Sequence, residues 1–119
     1  MDSYSVDRER WNTLSLVQQL GNVSSEVGRA INAQRAGKTK RAEGAFDRAL
    51  DLLDATIDGL VAQGSPRLKE VLRAREAFVA LFYDDAFESD ADAVERYFNW
   101  FALAARAETD KAWAIPQTT

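Results

Sequence analysis

Four aspartates, Asp47, Asp51, Asp54 and Asp58, follow one another at intervals of four, three and four residues in the stretch DRALDLLDATID. On a helix this spacing sets them along one face, within an arc of about 60°. Such a row can ligate a hard cation, meet a basic partner or face water. One helix cannot surround an ion, because Mg²⁺ takes its oxygens from groups that face one another. A metal site therefore needs a second pair of carboxylates. The chain offers Asp85 with Glu88, or Asp92 with Glu95, to set against Asp51 and Asp54. Acidic residues at 92 and 95 have a structural reason too, since a helix N-terminus favours negative charge. Like charges at helical neighbour spacing repel by about 0.2–0.5 kcal/mol per pair, so the row also invites a cation.

Arg75 is the cation best placed to answer it. On a helical wheel it falls within the arc of Leu68, Val71, Leu72, Phe78, Val79 and Phe82. A charge left unpaired among apolar side chains costs several kcal/mol, so an acidic partner or an anionic ligand is expected. Glu26, Asp54 and Asp58 are the candidate partners.

What the chain lacks bounds its chemistry. There is no histidine and no cysteine among the 119 residues. Serine–histidine and cysteine–histidine nucleophiles, thiolate and imidazole zinc sites, and disulfides are thereby excluded. Any reaction would run on carboxylates, Arg, Lys, Tyr or hydroxyls. Formal net charge is −4, but the sign is uneven, about +3 over residues 1–41 and about −7 thereafter. The basic part contains the cluster Arg35, Lys38, Lys40 and Arg41. An acidic chain binds nucleic acid only where one face is basic, so nucleic acid is not the expected partner.

These residues need helices to position them, and the hydrophobic pattern supplies four. A Ser15/Gln18 capping box opens the first, over about 16–36, with Leu16, Leu20, Val23, Val27, Ala30, Ile31 and Gln34 along one stripe. Gly21, Ser24 and Gly28 beside that stripe leave room for a close neighbour. The second, over 39–63, has Ala42, Ala45, Phe46, Ala49, Leu50, Leu53, Ile57, Leu60 and Val61 as its apolar positions. Gly64-Ser65-Pro66 breaks it and opens the third, over 66–83. Acidic residues at 84–92 interrupt the pattern, and Ser89 or Asp90 caps a fourth helix over 90–107. Residues 1–10 and 108–119 are expected as flexible termini, with Trp113 and Ile115 docking somewhere. Short connections between amphipathic helices favour antiparallel neighbours. The expected architecture is an all-α, up-down-up-down four-helix bundle in one domain. In that topology the basic cluster lies near the acidic 84–92 segment.

Two features point to self-association. Phe98 and Phe101 share the phase of Val94 and Ala105, whereas Trp100 and Leu103 fall outside it and form an apolar patch of the kind that marks interfaces. The second helix has a narrow polar strip and an edge of small residues, Ala55 and Gly59 among them, suited to contact with a second subunit. A homo-oligomer, leaning to a dimer, is the expected assembly.

The segments WNTLSLVQQLGNVSSEVGRAI, AFDRALDLLDATI, RLKEVLRAREAF and RYFNWFALAAR, covering residues 11–106, resemble a family of small helical prokaryotic proteins. The layout is also similar, more distantly, to HEPN domains, helical bundles that dimerise and often act in toxin–antitoxin or nucleotide-linked systems. Ribonuclease-active HEPN proteins have an Arg followed by a His. With no His here, the resemblance implies no ribonuclease residue. The paired carboxylates resemble those of all-α nucleotide pyrophosphatases, which implies Mg²⁺ held by Asp51, Asp54, Asp92 and Glu95, although that family uses Glu where this chain has Asp.

The leading expectation is a non-enzymatic interaction or regulatory module without a cofactor. A Mg²⁺-dependent nucleotide hydrolase and a HEPN-like nucleotide- or RNA-binding protein using the basic cluster are the alternatives. No apolar run reaches the length of a membrane span, and MDSYSVDRERWNTL has no signal-peptide core, so a cytoplasmic protein is expected.

Overall fold

The computed structural model describes residues 6–83 and 87–114. All the regular structure there is helical: α1 (Arg8–Trp11), α2 (Leu16–Arg35), α3 (Thr39–Gln63), α4 (Leu68–Tyr83) and α5 (Phe87–Ala114). None of these helices is long and apolar enough to cross a membrane. The expectations placed on Asp84, Asp85 and the side chains of Trp113 and Ile115 lie outside the described residues.

Local chemistry fixes the helix ends. Ser15 Oγ accepts from the Gln18 amide while the Gln18 side chain accepts from the Ser15 amide, each at 3.1 Å, so two otherwise orphaned donors are satisfied at the start of α2. Gly37 and Gly64 take left-handed φ values of 73° and 63°. At the first the Lys38 amide reaches back to the Ala33 carbonyl at 2.9 Å; at the second the Ser65 amide reaches Leu60 at 3.0 Å. Glycine tolerates this conformation without a Cβ penalty, so both reversals stay tight.

α2 packs along both α3 and α5, α4 packs on α3 and on α5, and α1 lies against α3. The α2 stripe of Leu20, Val23, Val27, Ala30 and Ile31 is buried, joined by Ala45, Ala49 and Leu53 from α3. On the α4 side, Phe46, Phe78, Phe82, Phe87 and Phe98 form a chain of tilted and edge-on ring contacts with centroids 5.0–6.3 Å apart, the geometry that aromatic quadrupoles favour.

Several expectations are corrected. Residues 8–11 form a helix, not part of a flexible terminus, because Trp11 is buried and its indole N–H donates to the buried Thr56 hydroxyl at 3.1 Å. The Gln19 side chain donates in turn to the Trp11 carbonyl at 2.9 Å, tying α1 to α2. α4 begins at Leu68 and not at Pro66; Ser65 Oγ caps only the preceding turn, accepting from the Arg67 amide. α5 begins at Phe87, so Ser89 and Asp90 sit inside its first turn, and it continues to Ala114, past the expected end at 107. The buried face of α4 is Val71, Ala74, Phe78 and Leu81, with Leu72 exposed. On α3, Val61 is exposed while Leu52, Ala55 and Thr56 are buried. Docking of α1 accounts for the burial at Thr56: one indole covers a second face of the helix.

Candidate functional site

The aspartate row is met by cations from two different helices. Nε of Arg75 on α4 donates to Asp54 Oδ1 at 2.8 Å, and Arg8 of α1 pairs with Asp58. Asp51 has no ion pair among the described residues. Its pKa is raised by partial burial first and then by its neighbours Asp47 and Asp54, with Arg8 acting in opposition. Arg75 is not the deeply buried charge its wheel position implied. The buried arc of α4 centres on Ala74 and Phe78, so Arg75 lies at its edge with 34% of its side chain exposed. Glu26 does not meet Arg75; it takes Arg29 at 3.0 Å and Arg48 at 3.2 Å.

The second pair of carboxylates lies elsewhere. Asp92 and Glu95 both accept from Arg35 of α2, the Glu95 contact at 3.0 Å. Asp54 is thus directed across the α3–α4 contact, and Asp92 and Glu95 across the α2–α5 contact. The structure does not bring together the four residues of the Mg²⁺ reading. Among the described residues, no group of three or more acidic side chains is arranged to hold a metal ion.

The basic cluster is divided. Arg35 faces α5, while Lys38, Lys40 and Arg41 have no acidic partner among the described residues. Lys38 and Arg41 instead line an open groove of about 390 Å³ between the end of α2 and the start of α3, together with Arg29, Asn32 and Arg48. Ala33, Ala36 and Ala45 form its apolar lining. Among the described residues, Glu26 is the only carboxylate bonded to any of the groove's four cations. Arg29 and Arg48 were not singled out from the sequence, because each alone looks like solvated helix surface. The signal is a matched pair of stripes: Arg29, Asn32 and Ala33 on α2 with Ala36 at its C-cap, and Arg41, Ala45 and Arg48 on α3. Both follow the spacing of one helix face, and they flank the Gly37 reversal that brings them together.

On α5, Phe98 and Phe101 are buried, whereas Trp100 is 60% and Leu103 66% exposed. The Trp100 indole leans edge-on against Phe101, with centroids 5.1 Å apart. Tyr97 continues the ridge; burial is the main cause of its raised pKa, with the adjacent Glu70 carboxylate adding to it. The small-residue edge of α3 does not form part of this surface. Ala55 is buried within the chain, and a Cβ at Gly59 would lie 3.3 Å from Asn12 Oδ1, beside α1. The assignment of Ala55 to an intersubunit face is therefore corrected: its side chain is buried within the chain.

No protein-family model, no curated protein and no solved structure matches the chain.

Proposed function

We propose that the protein is a non-enzymatic interaction module that forms a homodimer through the Tyr97, Trp100 and Leu103 ridge of α5. The observation behind this reading is the exposure of Trp100 and Leu103, three residues apart on one helix, in a chain that already has an aromatic core without them. Large apolar side chains grouped in this way lose unfavourable hydration when a second surface covers them, and Trp and Tyr are the residue types that dominate such contacts. We further infer an up-down-up-down bundle of α2 to α5, with α1 docked outside it on α3. In that arrangement α5 presents one face to α2 and α4 and its ridge outward. The reading invokes no catalytic residue and no cofactor.

Size-exclusion chromatography with light scattering tests it. The wild-type chain is expected at twice its 13.3 kDa mass, and Trp100→Ala combined with Leu103→Lys at the mass of a monomer. A wild-type chain that remains monomeric at about 100 μM would overturn the proposal, since stable interfaces hold well below that concentration.

A further inference from the structure

The groove at the α2–α3 reversal combines three properties on a chain that is acidic overall. Four cationic side chains, Arg29, Lys38, Arg41 and Arg48, line one open cavity of about 390 Å³, within the range of small-molecule sites. One carboxylate, Glu26, answers two of them, and Lys38 and Arg41 have no acidic partner among the described residues. Between the cations lies the exposed methyl of Ala36, with Ala33 and Ala45 almost wholly buried, so the groove offers charge and a small apolar contact within one span. The local charge pattern also works against stability. α3 opens beside the groove with Lys40 and Arg41 and no acidic residue in its first turn, although the positive end of a helix dipole disfavours cations. A sequence that breaks a stabilising rule at a concave site is characteristic of a place where a ligand restores the balance.

We infer that this groove binds a small organic phosphate, with the phosphate held by Lys38 and Arg41 and its uncharged body lying along Ala36 and the aliphatic stems of the lining arginines. Arg29 and Arg48 supply the surrounding positive field. Guanidinium and ammonium groups together suit a multiply charged oxyanion, because Arg offers paired donors and Lys a mobile point charge. A long polyanion fits less well. The cavity is of small-molecule size, and the rest of a chain of net charge −4 would repel an extended phosphate backbone. This inference is independent of the dimer reading, since among the described residues α5 contributes nothing to the groove.

Isothermal titration calorimetry on the full chain, with ADP, inorganic pyrophosphate and a twelve-nucleotide single-stranded RNA as probes, is the test. ADP is expected to bind with a dissociation constant below about 1 mM, and more tightly than pyrophosphate because only ADP has an uncharged body to lay along Ala36 and the arginine stems. Lys38→Gln with Arg41→Gln should weaken ADP binding at least about tenfold. Both side chains are exposed and have no acidic partner among the described residues, and Arg41 opposes the dipole of α3, so the variant is expected to melt no lower than the wild type. Lys69→Gln with Arg73→Gln, exposed cations on α4, should leave ADP binding unchanged. Amide chemical-shift changes on adding ADP are expected to cluster between residues 29 and 48. The proposal is overturned if ADP fails to bind at about 5 mM, if the α4 variant weakens it as much as the groove variant, or if the RNA binds more tightly than ADP with a steep salt dependence. The last result would assign the cations to nucleic acid.

Discussion

Asp54 and Arg75 are joined at 2.8 Å across the contact between α3 and α4. The pair is half-exposed, with 46% and 34% of the two side chains open to solvent, which decides its energetic scale. Water screens the attraction, so the bond orients two helices without dominating their association. A double-mutant cycle with Asp54→Ala and Arg75→Ala is expected to give a coupling energy of about 0.3–1 kcal/mol. Urea denaturation of the four proteins measures it. A coupling of several kcal/mol would show instead that the pair is desolvated in solution.

Asp51 stands between Asp47 and Asp54 with no ion pair among the described residues, and its pKa lies above its ordinary value of 3.8. The folded state therefore holds this proton more tightly than the unfolded state does. The resulting stabilisation is fully present below the unfolded pKa and disappears as pH rises through the raised folded value. At neutral pH the ionised carboxylate is a net cost, so Asp51→Asn should stabilise the protein there by about 0.3–0.6 kcal/mol. The gain should vanish near about pH 3, where the carboxyl is protonated in both states. Denaturation midpoints at the two pH values check this, and equal gains at both would contradict it.

Trp11 makes α1 an integral part of the fold. Trp11→Ala removes a buried indole and is expected to cost about 3 kcal/mol. Trp11→Phe keeps most of the burial but removes the donor to Thr56, at a cost of about 1 kcal/mol. The ordering of these two midpoints, followed by circular dichroism, is the readout. Wild-type stability in Trp11→Ala would mean that α1 docks without contributing.

Gly59 lies in the body of α3, where alanine is the better helix former by about 1 kcal/mol. Among the described residues, the close neighbour of an added Cβ is the end of the Asn12 side chain at 3.3 Å, and Asn12 is exposed. Gly59→Ala should therefore raise stability by about 0.5 kcal/mol, without changing the oligomer mass. A lowered melting temperature would show that Asn12 is held in place.

Much of the helical pattern could be read directly. The α2 stripe, the Ser15 capping box and the glycine stops at 37 and 64 depend on spacing within a few residues of chain, and local stereochemistry decides them. The outward phase of Trp100 and Leu103 against Phe98 and Phe101 was legible for the same reason. α1 was not. Four residues have no periodicity to display, and their helix is stabilised by Trp11 finding Thr56, a contact 45 positions away.

The candidate sites divide along the same line. The sequence by itself determined which chemistry is possible: carboxylates and cations with no histidine or cysteine, and aspartates placed on one helical face. Only the tertiary structure decided how those charges pair, because partners on different helices are chosen by helix rotation and adjacency, which no local spacing encodes. The orientation of α4 about its axis sets Arg75 at the partly exposed edge of the core and not in its middle. The adjacency of α2 to α5 gave Asp92 and Glu95 to Arg35 and left Asp51 without a second pair. The reversal at Gly37 set two unremarkable arginine–alanine stripes side by side, and so made a groove where the sequence showed only surface.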